Sequence, residues 1–440
     1  MKLQIEKIVY GGAGLGYQGE GADAGKAVFV PFTLPGEKVE ATLSADKSGY
    51  GEASLVQVIK ASPERVAAGC RHFGECGGCQ LQHAAYRAQV QIKTDILRET
   101  LERAGLSSLP EVQVHTAEPW GYRNRIRLRV GVVEGAIRLG YNRRGGNEFL
   151  PIRECPIAAP LLWRAASTLL LLAESDAAVE RWMRAAVEVE FFANADESKL
   201  QMTVFLRKAL SAGFDDLCKL LKASVPELVG AGVSILAKES TQKRRRDERP
   251  VAGVGWGADG LLYTAAGTDY WVSRGGFFQV NRFLVDEMVR IVSDARSGRL
   301  AWDLYAGVGL FSRALARGFE RVVAVEGDET AAADLARAQK GERMRAVRAS
   351  TVEFLRDAVV QRERPELVVM DPPRAGVGAE VCALLARVKA AEMVYVSCDP
   401  VTLSRDLKVM VDSGYRIKEL HLVDMFPQTF HLETVAMLSR

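Results

Sequence analysis

The chain has 440 residues, with 58 Lys+Arg against 55 Asp+Glu, 48% hydrophobic residues and 26% charged ones. Such a length predicts roughly two to three domains, and such a composition excludes a disordered or fibrous chain. A formal charge of +3 excludes a uniformly basic, histone-like polymer but leaves room for a basic face on a balanced body.

The N-terminus, MKLQIEKIVY, lacks the apolar core of a secretory signal. The longest apolar stretch, 158–173, is interrupted by Arg164 and too short to cross a bilayer. A cytoplasmic protein with no membrane attachment and no obligate protein partner is expected. There are seven cysteines, three of them crowded between Cys70 and Cys79. In a reducing compartment such crowding argues for metal ligation rather than disulfides.

In chain order, the segments LQIEKIVY, KAVFVPF, EKVEATLSA and GEASLVQVI read as short strands separated by glycine-rich turns. They predict a small OB-like β-barrel over residues 1–60, an architecture that often binds nucleic acid. Gly14, Gly16 and Gly19 spell G-x-G-x-x-G after a strand. A dinucleotide site needs a helix to start there, yet EGADAGKAVFV returns to a strand, so the glycines read as a hairpin loop.

Residues 61–272 read as a central mixed α+β domain. It opens with the cysteine-rich segment, continues with a helix from about Tyr86 to Ala104, and then becomes strand-rich to about Tyr270. The segment Tyr122–Val130 alternates, placing Arg123, Arg125, Arg127 and Arg129 on one face of a strand and Ile126, Leu128 and Val130 on the other. The bland reading is a solvated face with acids nearby. A row of arginines without an interleaved acid predicts instead a phosphate-binding stripe, which Arg143, Arg144 and the barrel would extend. The charge run 243–249 (KRRRDER) reads as a solvated loop.

From Ser273 to the C-terminus the pattern becomes strict strand–helix alternation: LAWDLY, RVVAVE, MRAVRA, ELVVMD and MVYVSC are each followed by a helical stretch. Val-rich strands alternating with helices predict a doubly wound, Rossmann-like parallel sheet over residues 273–440, making the chain an α/β protein in its C-terminal part. Ligands of such sheets bind beyond the strand carboxyl ends. There the first strand gives way to Asp303-Leu304-Tyr305-Ala306-Gly307-Val308-Gly309, with Ser312 where a dinucleotide fingerprint has its third glycine. Glu326, which ends the second strand, is suited to hold ribose hydroxyls. An acid-lined D-x-x-x-G-x-G turn fits the sulfonium and amino group of S-adenosylmethionine better than a pyrophosphate. The fourth strand ends in Asp371-Pro372-Pro373-Arg374, a rigid turn able to face a flat base.

The fifth strand delivers Ser397-Cys398-Asp399-Pro400 to the same edge. Cys218 and Cys382 read as small core residues, whereas Cys398 precedes a helix start that can stabilise a thiolate. A thiolate beside a methyl donor points to pyrimidine chemistry. Carbon 5 of uracil is a poor nucleophile, but thiolate addition at carbon 6 makes an enolate whose carbon 5 can attack a methyl group. A base must then remove the carbon 5 proton so that the thiolate can leave. Glu433, opening the last strand, is the candidate base and His431 its competitor.

Asp371-Pro372-Pro373-Arg374, Ser397-Cys398-Asp399-Pro400, His431-Leu432-Glu433 and Phe278-Gln279-Val280-Asn281 resemble the signatures of the RNA 5-methyluridine methyltransferase family. The resemblance covers nearly the whole chain, including a barrel similar to a TRAM domain. It implies Cys398 as nucleophile and Glu433 as proton acceptor. It also implies Gln279, Tyr305, Glu326 and Asp371 as contacts of S-adenosylmethionine, with Asp371 also near the base. Asp399 stands where some members have Asn, and Leu310 replaces a polar residue near the cofactor. Neither touches the bond-making steps.

Cys70, Cys76, Cys79 and the distant Cys155 supply four thiolates, and their spacing alone allows zinc or a [4Fe–4S] cluster. The resemblance implies the cluster, since members with this spacing and the following Gln80-Leu81-Gln82-His83 carry one. A radical S-adenosylmethionine cluster would leave one iron free of protein ligands, whereas here a fourth cysteine closes the site. The implied role is structural or RNA-positioning. The barrel and cluster together resemble the bacterial members that act on structured 23S ribosomal RNA, whose target uridine must be flipped out of its stack. A transfer-RNA enzyme of the same chemistry and a non-catalytic RNA-binding assembly factor are the alternatives.

Overall fold

The computed structural model describes residues 1–19, 25–236, 250–338 and 343–440. The charge run at 243–249 lies outside the described residues. Strands β1 (Lys2–Ile8), β2 (Ala13–Tyr17), β3 (Ala27–Pro31), β4 (Lys38–Asp46) and β5 (Tyr50–Lys60) close into a barrel in the order β1-β2-β3-β5-β4. Its core is the inward half of the alternation: Leu3, Ile5, Val28, Val30, Val39, Ala41 and Ala53. Gly14 and Gly16 belong to the β2–β3 hairpin, on its first strand rather than at its tip. A Cβ on Gly14 would lie 2.0 Å from Thr33 Oγ1, and one on Gly16 2.7 Å from the Gln4 carbonyl oxygen. These glycines therefore serve close strand approach in a narrow barrel.

After the irregular cysteine segment come α1 (Tyr86–Arg103), β6 (Val112–His115), β7 (Arg125–Val133), β8 (Ala136–Asn142), β9 (Phe149–Pro151), α2 (Pro160–Ser175) and α3 (Ala177–Ala185). They are followed by β10 (Ala186–Ala193), β11 (Leu200–Leu206), α4 (Phe214–Ser224), β12 (Leu228–Ile235) and β13 (Val251–Gly257). Seven of these strands form one sheet, β13-β12-β11-β10-β7-β8-β9, whose apolar face packs against α2, α3 and α4. The apolar stretch noted in the sequence is α2, which buries Leu161, Leu162, Ala165, Ala166, Leu169 and Ala173 and starts at Pro160. Among the described residues, no helix is long and apolar enough to cross a membrane.

The arginine row requires correction. Strand β10 lies antiparallel to β7 and sets Glu188 opposite Arg129 and Glu190 opposite Arg127. Arg127 Nε donates to Glu188 Oε2 at 2.6 Å, Arg125 Nη1 lies 3.4 Å from Glu190 Oε1, and Arg129 donates to Asn142 and to the Asn147 carbonyl. The guanidinium groups of Arg125 and Arg127 also stack 4.0 and 3.7 Å from the ring centres of Phe192 and Phe205. Acids one strand away therefore pair with Arg125 and Arg127, Arg129 bonds only neutral groups, and Arg123 lines the cysteine cavity, so the four do not form one continuous row of unpaired cations. Arg143, expected to extend it, is paired with Glu75 and Glu148, and Arg144 lies over Phe32.

The C-terminal region is introduced by a hairpin, β14 (Gly260–Ala265) and β15 (Thr268–Ser273), and by α5 (Val285–Ser293). It continues with β16 (Gly298–Leu304), α6 (Leu310–Leu315), β17 (Phe319–Glu326), α7 (Glu329–Ala338), β18 (Met344–Arg348), α8 (Thr351–Gln361) and β19 (Leu367–Met370). It ends with α9 (Gly378–Val388), β20 (Glu392–Ser397), α10 (Pro400–Asp412), β21 (Arg416–Val423) and β22 (Glu433–Ser439). The sheet order is β18-β17-β16-β19-β20-β22-β21-β6. Leu300, Trp302 and Leu304 point to one helical layer while Ala301 points to the other, so both faces are covered and the strands read as continuous apolar runs. The sheet is not wholly parallel, as the alternation led us to expect. Strand β22 inserts antiparallel between β20 and β21, and β6, from the central region, extends the edge beside β21. Connection order reverses between β16 and β19, which opens the crevice in which such sheets bind ligands.

Candidate active site

The first turn of the crevice, after β16, is built on strained and compact backbone. Tyr305 adopts φ +62°, a left-handed conformation rare outside glycine, and Gly307 (φ +57°) and Gly309 (φ +88°) follow it. Gly307 N–H donates to Glu326 Oε2 at 2.8 Å and Asp328 N–H to Glu326 Oε1 at 2.6 Å, which ties this turn to the end of β17. Ser312 Oγ donates to Asp303 Oδ2, so the serine that breaks the dinucleotide fingerprint holds a fully buried carboxyl group. Leu310, the departure from the family pattern, is buried in the core.

Asp371 emerges at the end of β19 and accepts from Gln279 Nε2 at 3.3 Å. Gln279 is itself held from the central sheet, since Asn124 Nδ2 donates to its carbonyl at 2.9 Å. Burial pushes Asp303 up to about 7, and burial together with the nearby Asp303 pushes Asp371 up to about 7. Each carboxylate here opposes ionisation of its neighbour.

Cys398 follows β20, and Glu433 opens β22. The antiparallel register pairs Ser397 with Thr434, so the next residue outward on each strand is Cys398 on one and Glu433 on the other. This insertion brings the two residues together. Glu433 is only 3% exposed, and burial and the adjacent Asp371 raise it well above the ordinary carboxylate range, opposed by the Arg374 guanidinium.

The expectation that the helix start stabilises a Cys398 thiolate is overturned. Burial, Glu433 and Asp371 push the thiol up to about 11. The first free N–H groups of α10, those of Val401 and Thr402, are each bonded at 3.0 Å to the Asp399 carboxylate, so they are not available to the sulfur. Alkylation of Cys398 by iodoacetamide, followed by peptide mass spectrometry, should therefore accelerate about tenfold per pH unit between about pH 7 and 9. A plateau already reached at neutral pH would show that the thiolate forms there.

The competing base, His431, is pushed down to about 4 by burial and by the cations Arg374, Lys93 and Arg123, and is therefore neutral at physiological pH. It lies between Phe426 and Phe430 and lines a different cavity, described below.

The tRNA (Uracil-5-)-methyltransferase family model matches residues 85–440, and the TRAM domain model matches residues 1–56. The chain belongs to the tRNA (Uracil-5-)-methyltransferase family. It is 32% identical to an uncharacterized RNA methyltransferase of Aquifex aeolicus, over all of this chain and 98% of the relative. It is 33% identical to the 23S rRNA (uracil(1939)-C(5))-methyltransferase RlmD of Halomonas elongata, over 97% of this chain and 88% of the relative. Among solved structures it resembles the tRNA (uracil-54, C5)-methyltransferase of Pyrococcus abyssi in complex with S-adenosyl-L-homocysteine, with a TM-score of 0.75, 25% identity and 100% of both chains covered. This chain is thus an RNA uracil-C5 methyltransferase that uses S-adenosylmethionine.

In this uracil-C5 methyltransferase the loop between β21 and β22, which leads to Glu433, is clamped by residues the sequence reading missed. Lys93 Nζ lies 2.6 Å from Asp424 Oδ1, with both side chains fully buried, and also donates to the Phe426 carbonyl at 2.9 Å. Tyr86 donates to Asp424 Oδ2 at 2.9 Å, and the Gln89 side chain bonds both the backbone N–H and the side chain of Gln428. A signal was present: Gln89 and Lys93 stand four apart on the buried stripe of α1, among Ile92, Ile96 and Leu97. Polar groups on a buried stripe need partners elsewhere.

Cys70, Cys76, Cys79 and Cys155 surround one cavity of about 490 Å³, which His72, Arg123, Tyr141 and His431 also line. All four thiols are free, and burial, with their mutual repulsion, pushes Cys79 up to about 12 and Cys155 up to about 11. Among the described residues, no three His, Cys, Asp or Glu side chains are placed to hold a metal ion. Cys218 and Cys382 are buried, as expected of core residues.

Proposed function

We propose that this enzyme methylates carbon 5 of one uridine in 23S ribosomal RNA through a covalent adduct with Cys398. One observation carries the reading: the antiparallel register of β20 and β22 sets Cys398 beside Glu433 at the crevice edge occupied by Asp371. The Cys398 thiol loses its proton to solvent, the thiolate adds to carbon 6 of the flipped base, and carbon 5 of the resulting enolate takes the methyl group as the donor's methyl–sulfur bond breaks to leave a neutral thioether. S-adenosylmethionine, when bound, supplies that methyl on a sulfonium sulfur. Glu433 then removes the carbon 5 proton, the double bond re-forms, and the Cys398 thiolate leaves. A carboxylate whose pKa is raised is a stronger base than an exposed glutamate, which suits this step. Gln279, Tyr305, Glu326 and Asp371 hold the methyl donor, with Asp371 also facing the base. The barrel and the central region bind RNA, and residues 273–440 carry the chemistry.

Full-length 33% identity to the Halomonas 23S enzyme supports the ribosomal substrate, and the fold shared with the Pyrococcus tRNA enzyme supports a transfer-RNA alternative. Purified enzyme supplied with methyl-labelled S-adenosylmethionine should label 23S rRNA fragments in preference to tRNA transcripts. Preferential labelling of tRNA would favour the alternative, and label in neither RNA despite binding would point to an assembly factor.

For the cysteine cavity we propose a [4Fe–4S] cluster held by Cys70, Cys76, Cys79 and Cys155. Four cysteine thiols lining one cavity supply the ligand set that such a cluster takes. Its role is to hold the cysteine loop, and no step of methyl transfer runs through it. Anaerobically purified protein should be brown, with about four irons per chain. Colourless, zinc-loaded protein would overturn the assignment.

A further inference from the structure

The turn between β1 and β2 of the barrel reaches the reacting residues from the other end of the chain. Tyr10 Oη donates to Asp399 Oδ2 at 3.1 Å, across 389 positions of sequence. Asp399 divides its carboxylate: Oδ1 accepts the N–H groups of Val401 and Thr402, each at 3.0 Å, and Oδ2 takes the phenol. The Tyr10 ring meets Phe430 edge-on, with centres 5.4 Å apart, and Phe430 packs at 4.3 Å on His431, two residues before Glu433. Tyr10 also packs against the main core of the catalytic sheet. Behind it, Gly12 (φ +85°) leaves little room: a Cβ there would lie 3.0 Å from Gln80 Cβ and 3.4 Å from Phe430 Cβ. The barrel turn is therefore wedged between the two segments that carry the sulfur and the base.

We propose that Tyr10 is a positioning residue for methyl transfer: its hydroxyl fixes the Asp399 cap and hence the Cys398 turn, and its ring fixes Phe430 on the strand entry to Glu433. This rests on the reading of Cys398 as the nucleophile. It assigns the TRAM barrel a role in the chemistry besides RNA binding, because its β1–β2 turn holds the Asp399 cap that follows Cys398.

The test uses the full-length enzyme and an RNA carrying 5-fluorouridine at the target, since a carbon 5 fluorine cannot be removed as a proton and traps the adduct. Tyr10→Phe keeps the ring on Phe430 and loses only the hydroxyl. It should slow adduct formation about tenfold, as expected for a hydrogen bond to a charged group, while RNA affinity, S-adenosylmethionine affinity and melting temperature stay at wild-type values. Asp399→Ala should slow the same step, and adding Tyr10→Phe to it should have no further effect, because the hydroxyl acts only through that carboxylate. Wild-type adduct rates in Tyr10→Phe would overturn the proposal. So would a change confined to RNA affinity, or an undiminished effect in the Asp399→Ala background. If the wild-type enzyme itself forms no adduct, the reading of Cys398 fails first and this proposal with it.

Discussion

Cys398→Ala should abolish methyl transfer, lowering the rate by roughly 10⁴-fold or more, as removal of a covalent nucleophile does elsewhere. Without the sulfur no bond forms at carbon 6, and carbon 5 stays too weakly nucleophilic to attack a methyl group. The groups next to it, Glu433 and Asp371, are carboxyls, both raised by burial. Neither can replace a thiolate in adding to the ring. The substitution removes one sulfur atom from a half-buried turn whose helix remains capped by Asp399, so the fold should be kept. Label incorporation, alongside circular dichroism and S-adenosylmethionine binding, measures this. Residual activity near wild type in a folded, cofactor-binding variant would reject the covalent route.

Glu433→Gln should give the opposite kinetic picture. The amide keeps the size of the side chain but cannot accept the carbon 5 proton, so methyl transfer proceeds and release stalls. Multiple turnover should fall about 10²–10⁴-fold, the usual contribution of a positioned general base. A protein–RNA species resistant to denaturation should accumulate on gels. Removing a neighbouring acid also removes one of the causes that raise the Cys398 thiol, so adduct formation should be at least as fast as in wild type at neutral pH. Normal turnover in this variant would transfer the role to His431 or to water. The position of His431 on the cysteine cavity, with its pKa held down to about 4, argues against that outcome.

The parts of this site that were legible in the chain share one property: each is announced by its immediate neighbours. Asp303, Glu326, Asp371 and Cys398 all follow an apolar strand run, so their place at one edge of the sheet could be read from strand–helix alternation. The misread parts depend on residues far away in sequence. Arg127 reads as a free cation until β10 sets Glu188 beside it, and Lys93 reads as an ordinary helix lysine until Asp424 meets it, 331 positions later. The helix start after Cys398 was visible, but the carboxylates that outweigh it were not placed.

The sequence by itself determined the strands of the barrel, the strand–helix alternation of residues 273–440 and which chemical groups stand at the strand ends. Those properties follow from hydrophobic periodicity and steric demands that act within a few residues. Only the tertiary structure decided that the last strand runs backwards between two others, bringing Glu433 to Cys398, and that the barrel turn of Tyr10 presses on both. Hydrogen bonds and charge interactions depend on separation in space, and strand pairing across the chain sets that separation.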